Sequence, residues 1–255
     1  PKIGKDNIAV QATLKNYDAG LIFQAFPEYI PERLKDFRGL TSGNIEITGL
    51  PNKVTGFGNL QASNGRVLGE DFDKFDSKIT FENSLVKIET GEIYFGKSYI
   101  RLFGTYDRNS TDFDFNFVGS DIETERLSRI LVNNPSFPKI KGLIQLSGKA
   151  VGKANDFASY NISFSGAGSK LTINENELGG LAFNVNTENK ILSSVLLISF
   201  PSHQQKVVAT VDLGDKYLPL KAETEFYQTE LAPFIALFQT PESVAINGKA
   251  TGKVT

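Results

Sequence analysis

Apolar residues recur at every second position along most of this chain. From Ile8 to Leu14 they are Ile8, Val10, Ala12 and Leu14, the period that gathers side chains on one face of a β-strand and leaves the other face wet. Between Asp18 and about Phe37 the spacing turns helical, with Leu21, Ala25, Ile30 and Leu34 on one stripe. Pro27 and Pro31 interrupt it, so the pattern predicts one or two short, broken helices.

Short strands are then expected in quick succession: Gly43 to Gly49, Gly58 to Ala62, Phe75 to Phe81, Leu85 to Glu89, Glu92 to Phe95 and Tyr99 to Phe103. Their junctions, Asn64-Gly65, Glu82-Asn83-Ser84, Thr90-Gly91 and Gly96-Lys97-Ser98, carry the residues of tight turns, which predicts an antiparallel meander. Phe113, Phe115 and Phe117 give the plainest alternation and close this unit. Asp121 to Glu125 places acid at the start of a helix with Leu127, Ile130 and Leu131 on one side, ended by Pro135 and Pro138. Strands follow at Gly142 to Val151, Tyr160 to Phe164, Lys170 to Ile173, Leu181 to Thr187, Val195 to Phe200, Lys206 to Leu213 and Leu218 to Phe226. Thr229 stands where it would cap a further helix bearing Leu231, Phe234, Ile235 and Phe238, with Pro241 beyond it.

The pattern repeats. A glycine-framed strand, Gly43 to Gly49, returns as Gly142 to Gly148, and Asn247 to Lys253 (NGKATGK) nearly copies Ser147 to Lys153 (SGKAVGK). The marker glycines Gly49, Gly148 and Gly248 are 99 and 100 residues apart, which argues for an internal repeat. The expected organisation is a first unit at residues 1–118 entered partway, a second at 119–227, and the start of a third at 228–255, the whole being an internal piece of a longer protein. With no βαβ spacing and only a short helix between units, the expected fold is mainly β. It is an elongated antiparallel repeating sheet with one short helix per repeat of about 100 residues.

Composition removes several function classes. A net charge of −2 supplies no basic stripe for phosphate backbones, so nucleic acid is not an expected partner. The chain has no cysteine, which excludes disulfides and thiolate metal sites. The longest apolar runs, Val195 to Ile198 and Phe234 to Phe238, are far short of the ~20 residues that cross a bilayer. Catalytic patterns are weak throughout. His203, the single histidine, sits among Pro201, Ser202 and two glutamines and reads as a solvated turn residue. Gly56-Phe57-Gly58 lacks the third glycine of a dinucleotide loop. Asp71, Asp73 and Asp76 resemble half of a calcium loop without its central glycine and terminal glutamate, and read as a solvated turn. No metal, cofactor or enzymatic activity is expected.

Three stretches carry a resemblance: Phe137 to Gly148 (FPKIKGLIQLSG), Ser98 to Asp107 (SYIRLFGTYD) and Ser243 to Ala250 (SVAINGKA). A short helix ending in proline, a glycine-framed strand, then strands punctuated by small residues resembles the AsmA/TamB-like family of bacterial envelope proteins. The resemblance covers nearly the whole chain. It implies a periplasmic body anchored to the inner membrane at its N-terminus and engaging an Omp85-type outer-membrane barrel at the other end. It further implies a sheet curled into a U-shaped groove, similar to bridge-like lipid transfer proteins, that carries phospholipid between the two membranes.

If the sheet curls without closing, its inward residues form a lengthwise apolar trough. They are expected to include Ile45, Ile47, Ile79, Phe81, Ile100, Leu102, Ile144, Leu146, Ile162, Phe164, Phe183 and Val185. Glu46, Thr48, Lys78, Thr80, Arg101, Gln145, Ser147, Ser163, Asn184 and Asn186 are expected to face water. Gly49, Gly148 and Gly248 are read as positions of sharp curvature. Two other readings stay open. The chain is then a scaffold whose sheet edges receive strands of outer-membrane proteins during assembly, or a passive structural repeat with a sealed core.

Overall fold

The computed structural model describes residues 8–21, 36–50, 53–131, 140–173, 176–200, 203–230 and 248–255. The chain is mainly β. Its strands form one antiparallel sheet in chain order, not closed into a barrel. It divides into two compact units, Pro1–Val118 with Val151–Asn155, and Gly119–Ala150 with Asp156–Thr255.

The first unit is built from β1 (Ile8–Asp18), β2 (Arg38–Leu50), β3 (Lys53–Val67), β4 (Glu70–Asn83), β5 (Leu85–Phe95), β6 (Ser98–Asp107) and most of β7 (Asp112–Glu123). From β1 to β6 each strand pairs antiparallel with the next. Leu85–Phe95 is one strand and not two: the expected turn at Thr90-Gly91 is a bulge, with Lys78 opposite Thr90 and the next residue, Ile79, opposite Ile88. Thr90-Gly91 has turn composition, but the strands on either side are long enough to keep both halves in the ladder, so the extra residue is absorbed as a bulge.

The second unit holds a helix, α1 (Thr124–Leu131), and the strands β8 (Ile140–Lys153), β9 (Asp156–Ile173), β10 (Asn176–Glu177), β11 (Gly180–Glu188), β12 (Ile191–Ser199), β13 (Gln204–Asp212), β14 (Leu220–Glu230) and β15 (Lys249–Val254). Asn189 and Lys190 take φ of +50° and +65°, the two left-handed residues of a turn that matches strand twist between β11 and β12.

Three expectations are corrected here. Tyr160 to Phe164 and Lys170 to Ile173 belong to the single strand β9. Asp121–Glu123 remains strand, and the helix begins at Thr124, where the Thr124 hydroxyl donates to the Ile140 carbonyl at 2.8 Å and ties α1 to β8. Thr229 lies in β14 opposite Ala250, buried, its backbone taken up by pairing with β15, and the helix it was expected to cap lies outside the described residues. Of the short, broken helices expected between Asp18 and about Phe37, residues 19–21 are helical, and residues 22–35 with Pro27 and Pro31 lie outside the described residues, as do the expected helix over 231–238 with Pro241 and the stops at Pro135 and Pro138.

The first unit has a buried cluster at one end of its strands, and buried side chains also stand at opposite strand ends, Val54 in the first unit and Leu213 in the second. In the first unit Ala62, Phe72 and Phe95 are buried, and Phe37, Val67, Phe75, Ile93 and Ile100 pack around them. Phe37 stacks on Phe72 with centroids 5.8 Å apart and meets Phe75 edge-on at 6.4 Å. In the second unit Leu171 and Leu178 are almost wholly buried at the β9–β10 end, and Ile122 is wholly buried beside Gly119 and Leu146.

One turn gives a pH-dependent prediction. Asp107, at the end of β6, accepts hydrogen bonds from the Asn109 amide (2.7 Å), the Ser110 amide (3.0 Å) and the Ser84 hydroxyl (2.9 Å). The backbone amides of Ser110 and Asn109, then Ser84, hold its carboxyl below the ordinary aspartate value of 3.8. A carboxylate depressed in the folded state stabilises the fold above its unfolded value, and that contribution is lost as pH falls through the folded one. Urea midpoints measured between neutral pH and strongly acidic pH are therefore expected to drop on the acid side. Asp107→Asn should lower the neutral-pH midpoint and flatten that drop; an unchanged acid limb would refute this account of the turn.

Candidate functional site

Register decides which residues share a face. In the first unit Val10 lies opposite Ile47 and Ala12 opposite Ile45. Ile47 and Ile45 lie opposite Gly56 and Gly58, which lie opposite Phe81 and Ile79. Phe81 and Ile79 face Val86 and Ile88, and these face Tyr106 and Gly104. One strand position further along, Phe75, Ile93 and Ile100 continue the set. Opposite residues on neighbouring strands point to the same side, so a single face carries almost only apolar side chains and glycines. The bulge at Glu89-Thr90 matters for this: it shifts the parity of β5, which lets Ile88 and Ile93 both point to the apolar side.

The second unit repeats the arrangement. Leu181, Phe183 and Val185 lie opposite Gly168, Gly166 and Phe164 on one side and opposite Ile198, Leu196 and Ser194 on the other. Ile198, Leu196 and Ser194 face Gln205, Val207 and Ala209. Gln205 is the buried polar exception on this face. Its amide donates to the Glu225 carbonyl at 2.8 Å and to the Thr224 hydroxyl, which meets the cost of placing it there.

The twelve residues expected inward lie on these apolar faces, and their burial is uneven. Ile144 and Val185 are buried, each 7% exposed. Ile45, Ile47, Ile79, Phe81, Ile100, Leu102, Leu146, Ile162, Phe164 and Phe183 are half-buried, screened by their own neighbours on the sheet. Val10 and Leu220, on the same faces, are 45% and 69% exposed. Every described strand belongs to the one sheet, so among the described residues no second sheet covers these side chains.

Aromatic rings lie over glycines of the adjacent strand. A β-carbon on Gly148 would come within 2.2 Å of the Phe164 β-carbon, one on Gly166 within 2.4 Å of the Phe183 ring, and one on Gly104 within 2.8 Å of the Phe115 ring. Phe164 and Phe183 also meet edge to face at 5.6 Å. The glycines thus leave room for rings to lie flat, which makes a low-relief apolar floor. Gly148 sits at such a close approach. Gly49 takes a positive φ of +118° near the end of β2, and Gly248 begins the last described segment with φ +155°.

The opposite face is polar and locally neutralised. Glu46, Thr48, Lys78, Arg101, Gln145, Ser147, Ser163, Asn184 and Asn186 are exposed, and Thr80 is half-buried. Glu92 accepts from the Tyr94 hydroxyl at 2.6 Å and from Arg101 Nε at 2.5 Å; the Tyr94 hydrogen bond first, and Arg101 after it, hold its carboxyl below the usual range. Lys78 pairs with Glu89 at 2.5 Å, and Lys74 with Asp76. Each such exposed pair is screened by water and contributes little to stability. Together they forbid a one-residue register slip, which would turn these charges onto the apolar side.

Comparison with family models, with curated proteins and with solved structures returns no match. The sheet's own geometry therefore carries the functional argument.

His203 is half-buried and stacks on Phe200 with centroids 4.7 Å apart, so it is not the solvated turn residue its neighbours suggest. Asp71 pairs with Arg66 at 3.4 Å, Asp73 accepts from the Gly96 amide, and Asp76 pairs with Lys74. Among the described residues no group of three His, Cys, Asp or Glu is placed to hold a metal ion. Gly56-Phe57-Gly58 lies within β3 and forms no phosphate-binding loop.

Proposed function

We propose that this chain is a segment of a lipid conduit in the periplasm of a bacterial envelope protein, in which acyl chains lie along the apolar face of an open β-sheet groove. The observation that carries the reading is the register-aligned apolar face in each unit, most of whose side chains are half-buried and over which no second sheet lies among the described residues. In a sealed sandwich such residues lose nearly all contact with water against a second layer. Acyl chains supply the missing layer here, gaining about 0.8 kcal/mol for each methylene they bury. A face without a directional polar site holds every position along the chain about equally, so a bound lipid is free to slide.

On this reading the ligand is phospholipid, the full-length protein is an AsmA/TamB-like one anchored in the inner membrane, and its far end meets an Omp85-type barrel. The protein performs no chemistry on its cargo and needs no cofactor. Native mass spectrometry of the purified chain, with extraction and identification of bound lipid, tests this directly. Bound phospholipid is the expected result. A lipid-free mass combined with no uptake of fluorescent phospholipid would overturn the conduit reading and leave the assembly-scaffold or passive-repeat readings.

A further inference from the structure

The polar face of the first unit carries a feature that the lipid reading does not use. Two neighbouring cross-strand rows run over β2, β3 and β4: Asn44, Asn59 and Lys78 in one, Ser42, Gln61 and Asp76 in the next. Thr90 of the β5 bulge extends the first row. They enclose a depression of about 450 Å³, a size within the range of small-ligand sites. The side chains that reach it from the polar face are amides, hydroxyls, one carboxylate and one ammonium.

Charge selects the class of ligand. Lys78 is matched by Glu89 and Asp76 by Lys74, so the lining presents no net field to attract an anion or a cation. Three primary amides remain, each offering two donors and an acceptor carbonyl. Asp76 Oδ1 is buried with no hydrogen-bond partner among the described residues, an unmet acceptor that a hydroxyl donor relieves when the side chain turns toward it. Beside this lining, two residues along β3 on the same face, Phe57 is 37% exposed. An exposed ring with its electron-rich face free stacks against polarised C–H groups. Uncharged, rich in paired donors and acceptors, and flanked by an aromatic platform, the depression suits a neutral polyhydroxylated ligand.

We infer that this depression is a binding site for a neutral carbohydrate, held by Asn44, Asn59 and Gln61 with Phe57 as the stacking platform. The experiment is an NMR titration of the isotope-labelled chain with maltotriose and with chitotriose as probes. Millimolar additions of one of them are expected to move the side-chain amide signals of Asn44, Asn59 and Gln61. Asn59→Ala combined with Gln61→Ala should weaken binding about tenfold or more, as the loss of one or two ligand hydrogen bonds predicts, and Phe57→Ala should do the same. Asn184→Ala, an exposed amide on the polar face of the second unit, should leave binding unchanged, and the backbone spectra of all variants report whether they are folded. Failure of both sugars to move these signals overturns the assignment. So does a shift that survives Asn59→Ala with Gln61→Ala.

Discussion

Phe164→Arg is expected to abolish lipid uptake while Ser163→Arg, one residue away, leaves it intact. The two side chains occupy the same stretch of β9 and point to opposite faces: Phe164 lies opposite Val185 on the apolar side, and Ser163 opposite Asn186 on the polar side, where its hydroxyl donates to the Asn186 side-chain oxygen at 2.9 Å. An unpaired guanidinium among acyl chains costs several kcal/mol, so capture of fluorescent phospholipid should fall at least about tenfold, the equivalent of 1.4 kcal/mol. The strand must survive for the test to be informative. Phe164 is half-buried, and a long cationic side chain can reach toward the rim of the sheet, so far-UV circular dichroism should stay close to the parent's. Phe164→Leu supplies the apolar control and should retain uptake. Equal loss with Phe164→Arg and Ser163→Arg, or full retention with both, would sink the conduit reading. Ile144→Asp is a poorer probe of function because Ile144 is buried. A carboxylate there has neither water nor a partner, and the expected result is loss of the fold.

A large effect on stability is expected at Gly56. This residue takes φ +155°, and a β-carbon would lie 2.0 Å from the Glu46 carbonyl oxygen and 2.8 Å from the Ile47 α-carbon. Both obstructions are backbone of the neighbouring strand and cannot rotate away. Gly56→Ala should therefore cost at least about 3 kcal/mol, combining backbone strain with overpacking. For a protein of this size that corresponds to a fall of roughly 6–12 °C in Tm. Gly58 gives the comparison within the same strand and on the same face. Its nearest neighbour for a β-carbon is Ile45 Cγ1 at 3.8 Å, an ordinary contact, so Gly58→Ala should stay within about 1 kcal/mol of the parent. Thermal unfolding of the pair, followed by circular dichroism, checks both numbers. Equal behaviour of the two variants would contradict the register between β2 and β3.

Period-two alternation was enough to read an antiparallel meander and the partition of side chains between two faces, but it splits β5 and β9 in two, and the turn composition at Asn64-Gly65 falls inside β3. It works because the pleat sends successive residues to opposite sides whatever the sheet does later, and because tight turns demand a small set of residues. Ile45 with Ile47 and Phe164 with Phe183 were legible for that reason. Most of the turns between strands are also too short to return a strand in the same direction, which favours antiparallel pairing.

Tertiary structure alone decided where that local pattern is overruled. Thr90-Gly91 has turn composition, yet pairing on both sides of it keeps β5 continuous, and the resulting bulge is what brings Ile88 and Ile93 to one face. Thr229 has the composition of a helix cap, yet its backbone is taken by β15. The reason Gly56 must be glycine while Gly58 need not be is invisible in the sequence, because it depends on which carbonyl of β2 lies across the ladder. The same holds for Phe164 over Gly148: residues 16 apart in the chain meet only through register. Sequence determines what each strand offers to its two faces; cross-strand geometry determines what those faces become.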